Sequence, residues 1–139
     1  ALCDDRLHAE CVFDGECFVG LVFWWSAGEG CAYLEHLATE PALRGRRYGA
    51  RILRDLCARV GRVVLEIDPP EDDISRRRQG FYERNGFVCN AYDYIHPSYL
   101  LPPQPHRLVV MSYPAALAPA AFEAFRAFAH GVATAYAER

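Results

Sequence analysis

The sequence has no apolar run approaching the roughly 18 to 20 residues of a membrane-spanning helix, which excludes a helical membrane anchor. It also lacks a basic excess: 15 Lys and Arg against 18 Asp and Glu leave a net charge of -3. Nucleic-acid-binding surfaces carry such an excess, so the balance argues against phosphate-backbone binding over the whole surface, no nucleic-acid partner is expected, and any basic patch must be local. The six cysteines, at 3, 11, 17, 31, 57 and 89, include no pair at the close spacing of a metal knuckle. No metal is therefore expected, and most thiols should be free. Cys11, Cys31 and Cys89 lie in apolar runs, where cysteine packs as a small hydrophobe. No signal peptide is visible, so a reducing cytoplasm is the expected compartment. The first residue is Ala1 rather than Met, from which a processed or truncated upstream portion is expected. Internal repeats and low-complexity linkers are absent as well.

What is present has the size and composition of one domain. The 139 residues are 52% hydrophobic and 24% charged, enough to build a single core over residues 1–139. Leu7 to Phe13 and Glu16 to Trp25 are rich in β-branched, aromatic and aliphatic residues, and Asp14-Gly15 between them is a hairpin signal. A third apolar run, Cys31 to Thr39, is closed by Pro41. Beyond it Tyr48, Ile52, Leu53, Leu56 and Val60 follow helical spacing, with Gly61 placed as a C-terminal cap. Val63 to Ile67 reads as a strand, which completes a βαβ unit with parallel pairing. Asp72 or Asp73 can cap a second helix, in which Ile74, Arg78, Phe81, Tyr82 and Asn85 share a face and which Gly86 ends. Strands are predicted at Phe87 to Tyr92 and Leu108 to Tyr113. After Pro114, the residues Phe122, Phe125, Phe128, Val132 and Tyr136 give a helix with an aromatic stripe, read as core packing. The fold class is α+β: a mixed, mostly antiparallel twisted sheet with a central βαβ unit and helices on both faces.

The segment that carries chemistry is Arg44-Gly45-Arg46-Arg47-Tyr48-Gly49-Ala50, which follows a strand and opens a helix. The first amides of a helix lack intrahelical partners, the macrodipole adds partial positive charge, and glycine permits close backbone approach. Arginines at such a place oppose the dipole at a cost of a few tenths of a kcal/mol, which favours an anionic ligand, a phosphate above all. A solvated face is the other reading of the same residues.

The run from Tyr33 to Ala50 resembles motif A of the GNAT superfamily of N-acetyltransferases, whose signature is Gln or Arg, two residues, Gly, one residue, then Gly or Ala. Arg44 and Gly49 match it, and Arg47 stands where the first glycine is usual. The segment Gly80-Phe81-Tyr82-Glu83-Arg84-Asn85-Gly86-Phe87 is similar to motif B at the family's distance downstream. The resemblance covers Leu7 to Tyr113 and leaves out the family's first strand and the helices after it, which help form the acceptor site. It implies that acetyl-CoA is the cosubstrate, lying in a wedge where the strand Cys31 to Thr39 splays from the strand Val63 to Ile67. The pyrophosphate then falls to Arg44, Gly45, Arg46, Arg47, Tyr48, Gly49 and Ala50. The main chain of Leu37, Ala38 and Thr39 pairs with the pantetheine arm as an added strand would. The Leu37 N–H faces the thioester carbonyl.

Glu35 is the preferred base, acting through a water, with an acceptor-binding anion or a salt-bridge partner as its other readings. His36 is the reserve base. Neighbouring strand residues face opposite sides, so in a regular strand at most one of the two points into the site, a constraint that a bulge relaxes. Tyr82 matches the family's general acid toward the CoA sulfur, against a packed tyrosine. Asn85 can bind pantetheine or cap its own helix. Arg76-Arg77-Arg78 reads as a solvated face, with a nucleotide or nucleic-acid patch as the sharper reading, and Glu66, Asp68, Glu71, Asp72 and Asp73 serve capping and solubility or attract a cationic amine. Tyr92, Tyr94, His96 and Tyr99 form either an acceptor wall or plain packing. The function implied is acetyl transfer from acetyl-CoA to a primary amine of a small molecule, peptide or protein; a non-catalytic acyl-CoA-binding module is the alternative. Whether exposed strands pair two copies into a homodimer is left open.

Overall fold

The computed structural model describes residues 5–28, 30–95 and 107–137, with side chains as far as Val132. Cys3, His96, Tyr99 and the Tyr136 side chain lie outside the described residues. The chain forms two compact units, Ala1–Leu65 and Glu66–Arg139.

The first unit begins with strands β1 (Leu7–Asp14) and β2 (Cys17–Ser26), a hairpin whose turn holds Gly15 at φ +62°. That left-handed backbone is why the Asp-Gly pair marks the turn. Strand β3 (Cys31–Thr39) runs antiparallel to β2, and a single 3-10 turn at Pro41–Leu43 leads into helix α1 (Tyr48–Val60). Strand β4 (Arg62–Ile67) then returns parallel to β3. Helix α1 ends as its sequence dictates: Gly61, at φ +93°, donates its N–H to the Cys57 carbonyl. Its face of Ile52, Leu53, Leu56 and Cys57 is buried, and α1 packs on β2 and β3. Burial of each aliphatic side chain contributes about 1.5–3 kcal/mol. Val19, Val22, Trp24 and Trp25 of β2, Ala32, Tyr33 and Leu34 of β3, and Val63, Val64 and Leu65 of β4 supply the strands' share of the core.

The second unit holds helix α2 (Asp73–Arg84), strand β5 (Val88–Cys89), strand β6 (Val109–Tyr113) antiparallel to it, and helix α3 (Pro119–Ala137). Asp72 caps α2 by accepting from the Ser75 N–H at 2.7 Å. The predicted face of α2 is only partly correct, because Ile74 is 68% exposed and Ser75 is the buried residue of the first turn. The strand expected over Phe87 to Tyr92 shrinks to two residues. Asn90 is buried, its Nδ2 donates to the Val110 carbonyl and the Ser112 hydroxyl, and its Oδ1 accepts from the Leu117 N–H. The Asn90 N–H still bonds the Val110 carbonyl at 2.9 Å, and past it the Asn90 side chain, rather than a continued strand, ties the chain to Ser112 and Leu117. The aromatic stripe of α3 does pack: Phe122 and Phe125 are buried, with Tyr92 stacked on Phe122 at 4.2 Å.

The architecture is thus α+β with a mixed sheet of six strands: antiparallel from β1 to β3, parallel between β3 and β4, antiparallel between β5 and β6. Of the described cysteines all five are free, and Cys57 is buried. Cys11, expected to pack, is exposed, because it alternates with half-buried Glu10 and Val12 on β1.

Candidate active site

Two features of β3 define the site in the first unit. The parallel ladder with β4 runs from Cys31–Arg62 to Leu34–Leu65 and stops there. Strand β3 continues for five more residues to Thr39 while paired on its other edge with β2. Leu37, Ala38 and Thr39 therefore lie past the end of the parallel pairing, opposite Val22, Leu21 and Gly20 respectively.

The second feature is a bulge. Phe23 pairs with His36 and Trp24 pairs with Leu34, so Glu35 is an extra residue with no partner of its own on β2. Bulges re-aim side chains and recur beside functional sites. Here the bulge removes the alternation that would send Glu35 and His36 to opposite faces. Glu35 accepts a hydrogen bond from the Trp25 indole, Nε1 to Oε2, at 2.7 Å. His36 packs edge-on against Phe23 with ring centroids 6.0 Å apart. Phe23 and Trp25, two apart on β2, share a face, so Glu35 and His36 share it too. Both are exposed.

Beyond β3 the chain reaches the start of α1 through Gly45 at φ +89° and Arg47 at φ +62°. Arg47 is the one non-glycine residue with positive φ among the described residues. The position where the family signature has glycine is thus held in a glycine-favoured conformation, although the residue is arginine. No side chain caps this helix end, and its first turn holds no acidic residue. The amides of Tyr48, Gly49 and Ala50, the first helical residues, are the ones that lack intrahelical acceptors. Arg44, Arg46 and Arg47 are all exposed, and none forms an ion pair with a described residue. The Tyr48 hydroxyl donates to Asp14 Oδ2 at 2.8 Å, which ties the first turn of α1 to the tip of the β1–β2 hairpin. That bond to Asp14 also pushes the Tyr48 phenol above its ordinary pKa.

In the second unit Tyr82 sits near the end of α2, its ring edge-on to Phe81 and Phe87 at 5.2 and 5.5 Å. Burial pushes its phenol above the usual range against the opposing pull of Arg78, so it stays protonated at neutral pH and can donate a proton. Asn85 spends its side-chain amide on its own helix, Nδ2 donating to the Phe81 carbonyl at 2.7 Å. Tyr94 is buried against Phe122 and Phe125, and the Tyr92 hydroxyl donates to the Leu117 carbonyl, so these two tyrosines pack. Arg76, Arg77 and Arg78 are exposed, with Arg76 paired to Asp73 one turn away.

An open groove of about 640 Å³ lies between the β1–β2 hairpin and α1. It is lined by Glu10, Asp14, Arg51, Asp55 and Arg59 among others, and it shares only Tyr48 with the predicted loop. Among the described residues no cluster of three His, Cys, Asp or Glu side chains stands close enough to hold a metal ion, and no helix is long and apolar enough to cross a membrane. Two contacts were not foreseen from sequence, Trp25 to Glu35 and Tyr48 to Asp14. Only the strand register reveals the first; the second joins residues 34 apart.

Comparison with known proteins adds to this geometry. The sequence profile of the acetyltransferase (GNAT) domain matches residues 8–89. A GNAT-family protein from Bacteroides thetaiotaomicron is 30% identical, with a TM-score of 0.81 over 96% of this chain and 74% of its own. An acetyltransferase of Bacillus subtilis, solved in complex with CoA, is 13% identical with a TM-score of 0.58 over 78% of this chain and 76% of its own. The spermidine N-acetyltransferase of Vibrio cholerae is 13% identical with a TM-score of 0.61 over 80% of this chain and 67% of its own. At those identities the last two share the fold. No curated protein matches the sequence.

Proposed function

The chain belongs to the GNAT family of acetyltransferases, and on that premise we propose that it moves an acetyl group from acetyl-CoA to a primary amine by direct attack. The observation that carries the reading is the uncapped start of α1, with three exposed arginines that form no ion pair with a described residue and two positive-φ residues, in the stretch that follows a strand outrunning its parallel partner. Backbone amides and arginines there suit a pyrophosphate. In this reading Arg44, Gly45, Arg46, Arg47, Tyr48, Gly49 and Ala50 hold the phosphates, and the free edge at Leu37, Ala38 and Thr39 pairs with the pantetheine arm.

Acetyl-CoA, when bound, supplies the activated thioester. Glu35 takes the proton from the attacking amine, directly or through a water. The Leu37 N–H stabilises the oxyanion that develops on the carbonyl. Tyr82 returns a proton to the departing sulfur; its burial keeps that proton in place until needed. One Asn85 N–H donates to the Phe81 carbonyl and so helps close the helix that carries Tyr82, with its remaining N–H and Oδ1 as the groups that would meet the pantetheine.

The acceptor classes to test are a polyamine and a peptide α-amine. Binding is checked first by thermal shift with acetyl-CoA, where ligand at a hundred times its dissociation constant adds about 2.7 kcal/mol of stability. Release of free thiol is then followed with spermidine and with a peptide beginning in alanine. Tyr82→Phe should lower turnover by about 100-fold while leaving acetyl-CoA binding intact. The absence of any thermal shift at millimolar acetyl-CoA would sink the reading. A shift without turnover on any amine would leave a binding module in its place.

A further inference from the structure

We infer that Trp25 is a positioning residue for the acetyl transfer: its indole N–H fixes one oxygen of the Glu35 carboxylate so that the other is presented to the amine. The inference rests on the reading of Glu35 as the base.

The argument starts from the bulge. A residue with no cross-strand partner has a looser backbone, and a carboxylate on it, exposed to water, would sample many rotamers. A base must instead be held within hydrogen-bond reach of the proton it abstracts. Trp25 supplies the missing constraint. It is 4% exposed, so its ring is fixed by the core, and it pairs with Tyr33 in a regular stretch of the ladder just before the bulge. Indole is a donor only, so it can engage the carboxylate but cannot compete for the substrate's proton. The contact is a charge-assisted hydrogen bond at 2.7 Å to Oε2, which leaves Oε1 for the reaction. Trp24, one residue earlier, faces the other side of the strand and stacks on His8 at 3.9 Å.

The test uses Trp25→Phe, which keeps an aromatic ring at the cost of some buried volume and deletes the donor, beside Glu35→Gln and the double variant. With acetyl-CoA and whichever of spermidine or the alanine peptide turns over, W25F should lower kcat by about 10- to 100-fold, the order that a small misplacement of a catalytic group costs. KM for acetyl-CoA should not move. The double variant should be no slower than E35Q alone, because the indole acts through the carboxylate. A second measurement needs no change at Trp25. In the indole N–H region of an NMR spectrum, E35Q should shift the Trp25 resonance upfield and leave that of Trp24 in place. If E35Q loses turnover while W25F keeps it, or if the two losses multiply in the double variant, the role of Trp25 is overturned and the base reading survives. If E35Q keeps full turnover, Glu35 is not the base and both fall together.

Discussion

Glu35 and His36, adjacent in sequence, project from the same face of β3, because Glu35 is the unpaired residue of a bulge set between the Phe23–His36 and Trp24–Leu34 pairs. Two titratable side chains thus compete for one role. Replacing Glu35 by Gln should lower kcat by about 100-fold, the lower end of what a general base contributes, whereas His36→Gln should cost no more than a few-fold. Steady-state kinetics on both variants decides it: an equal or larger loss in His36→Gln would hand the role to the histidine.

Arg47 holds a left-handed backbone at φ +62° at the N-terminus of α1. An L-residue in that region costs roughly 1–2 kcal/mol, partly offset when glycine replaces it by glycine's larger unfolded-chain entropy. Arg47→Gly should therefore melt at or slightly above the wild type, and Arg47→Val should melt several degrees below it. Acetyl-CoA titration of the glycine variant reads the side chain separately from the backbone. A weaker dissociation constant in a protein of undiminished stability means that the guanidinium reaches a phosphate.

Gly20 is buried in β2 opposite Thr39. A Cβ added there would stand 2.5 Å from the Ala38 carbonyl oxygen, 3.1 Å from Ile52 Cδ1 and 3.3 Å from Thr39 Cα. Since the closest atom is backbone, the strand itself must shift. Gly20→Ala should cost about 1–3 kcal/mol in a urea titration and should also raise the dissociation constant for acetyl-CoA, because the displaced segment is the proposed pantetheine edge. Loss of stability with unchanged affinity would remove Leu37 to Thr39 from the cofactor set.

Glu10 accepts two hydrogen bonds from Arg59, at 2.8 and 3.0 Å, and those bonds hold its carboxyl below the ordinary value of 4.5. A depressed folded-state pKa gives stability that is complete above 4.5 and is lost as pH falls through the folded value. Both side chains are partly exposed, at 43% for Arg59 and 32% for Glu10, so screening keeps the contribution under about 1 kcal/mol. Unfolding midpoints at pH 7 and pH 3 should fall less between the two in Glu10→Gln than in the wild type. An identical fall would show the pair to be neutral.

Much of the fold was legible because its signals are local. The Asp14-Gly15 turn, the bounds of β3, the α1 face with its Gly61 cap and the Asp72 cap of α2 each depend on residues within a few positions of one another. Contacts between residues far apart in sequence were the less legible part. Just past β5, the Asn90 side chain bonds residues 20 to 27 positions away. Tyr92 and Tyr94 pack on α3, the plain-packing reading of the two that the sequence left open.

The same division runs through the site. Sequence alone determined that arginines and glycines would open a helix after a strand, since strand period, glycine content and helix spacing are properties of the chain itself. Tertiary structure alone decided the geometry of the strand that precedes them. The ladder's end at Leu34–Leu65 exposes the edge of β3, the bulge at Glu35 turns two neighbours to one face, and the packing of Trp25 puts a donor beside the carboxylate. Each depends on register between strands, and register is fixed by the sum of many cross-strand contacts rather than by any one segment's composition.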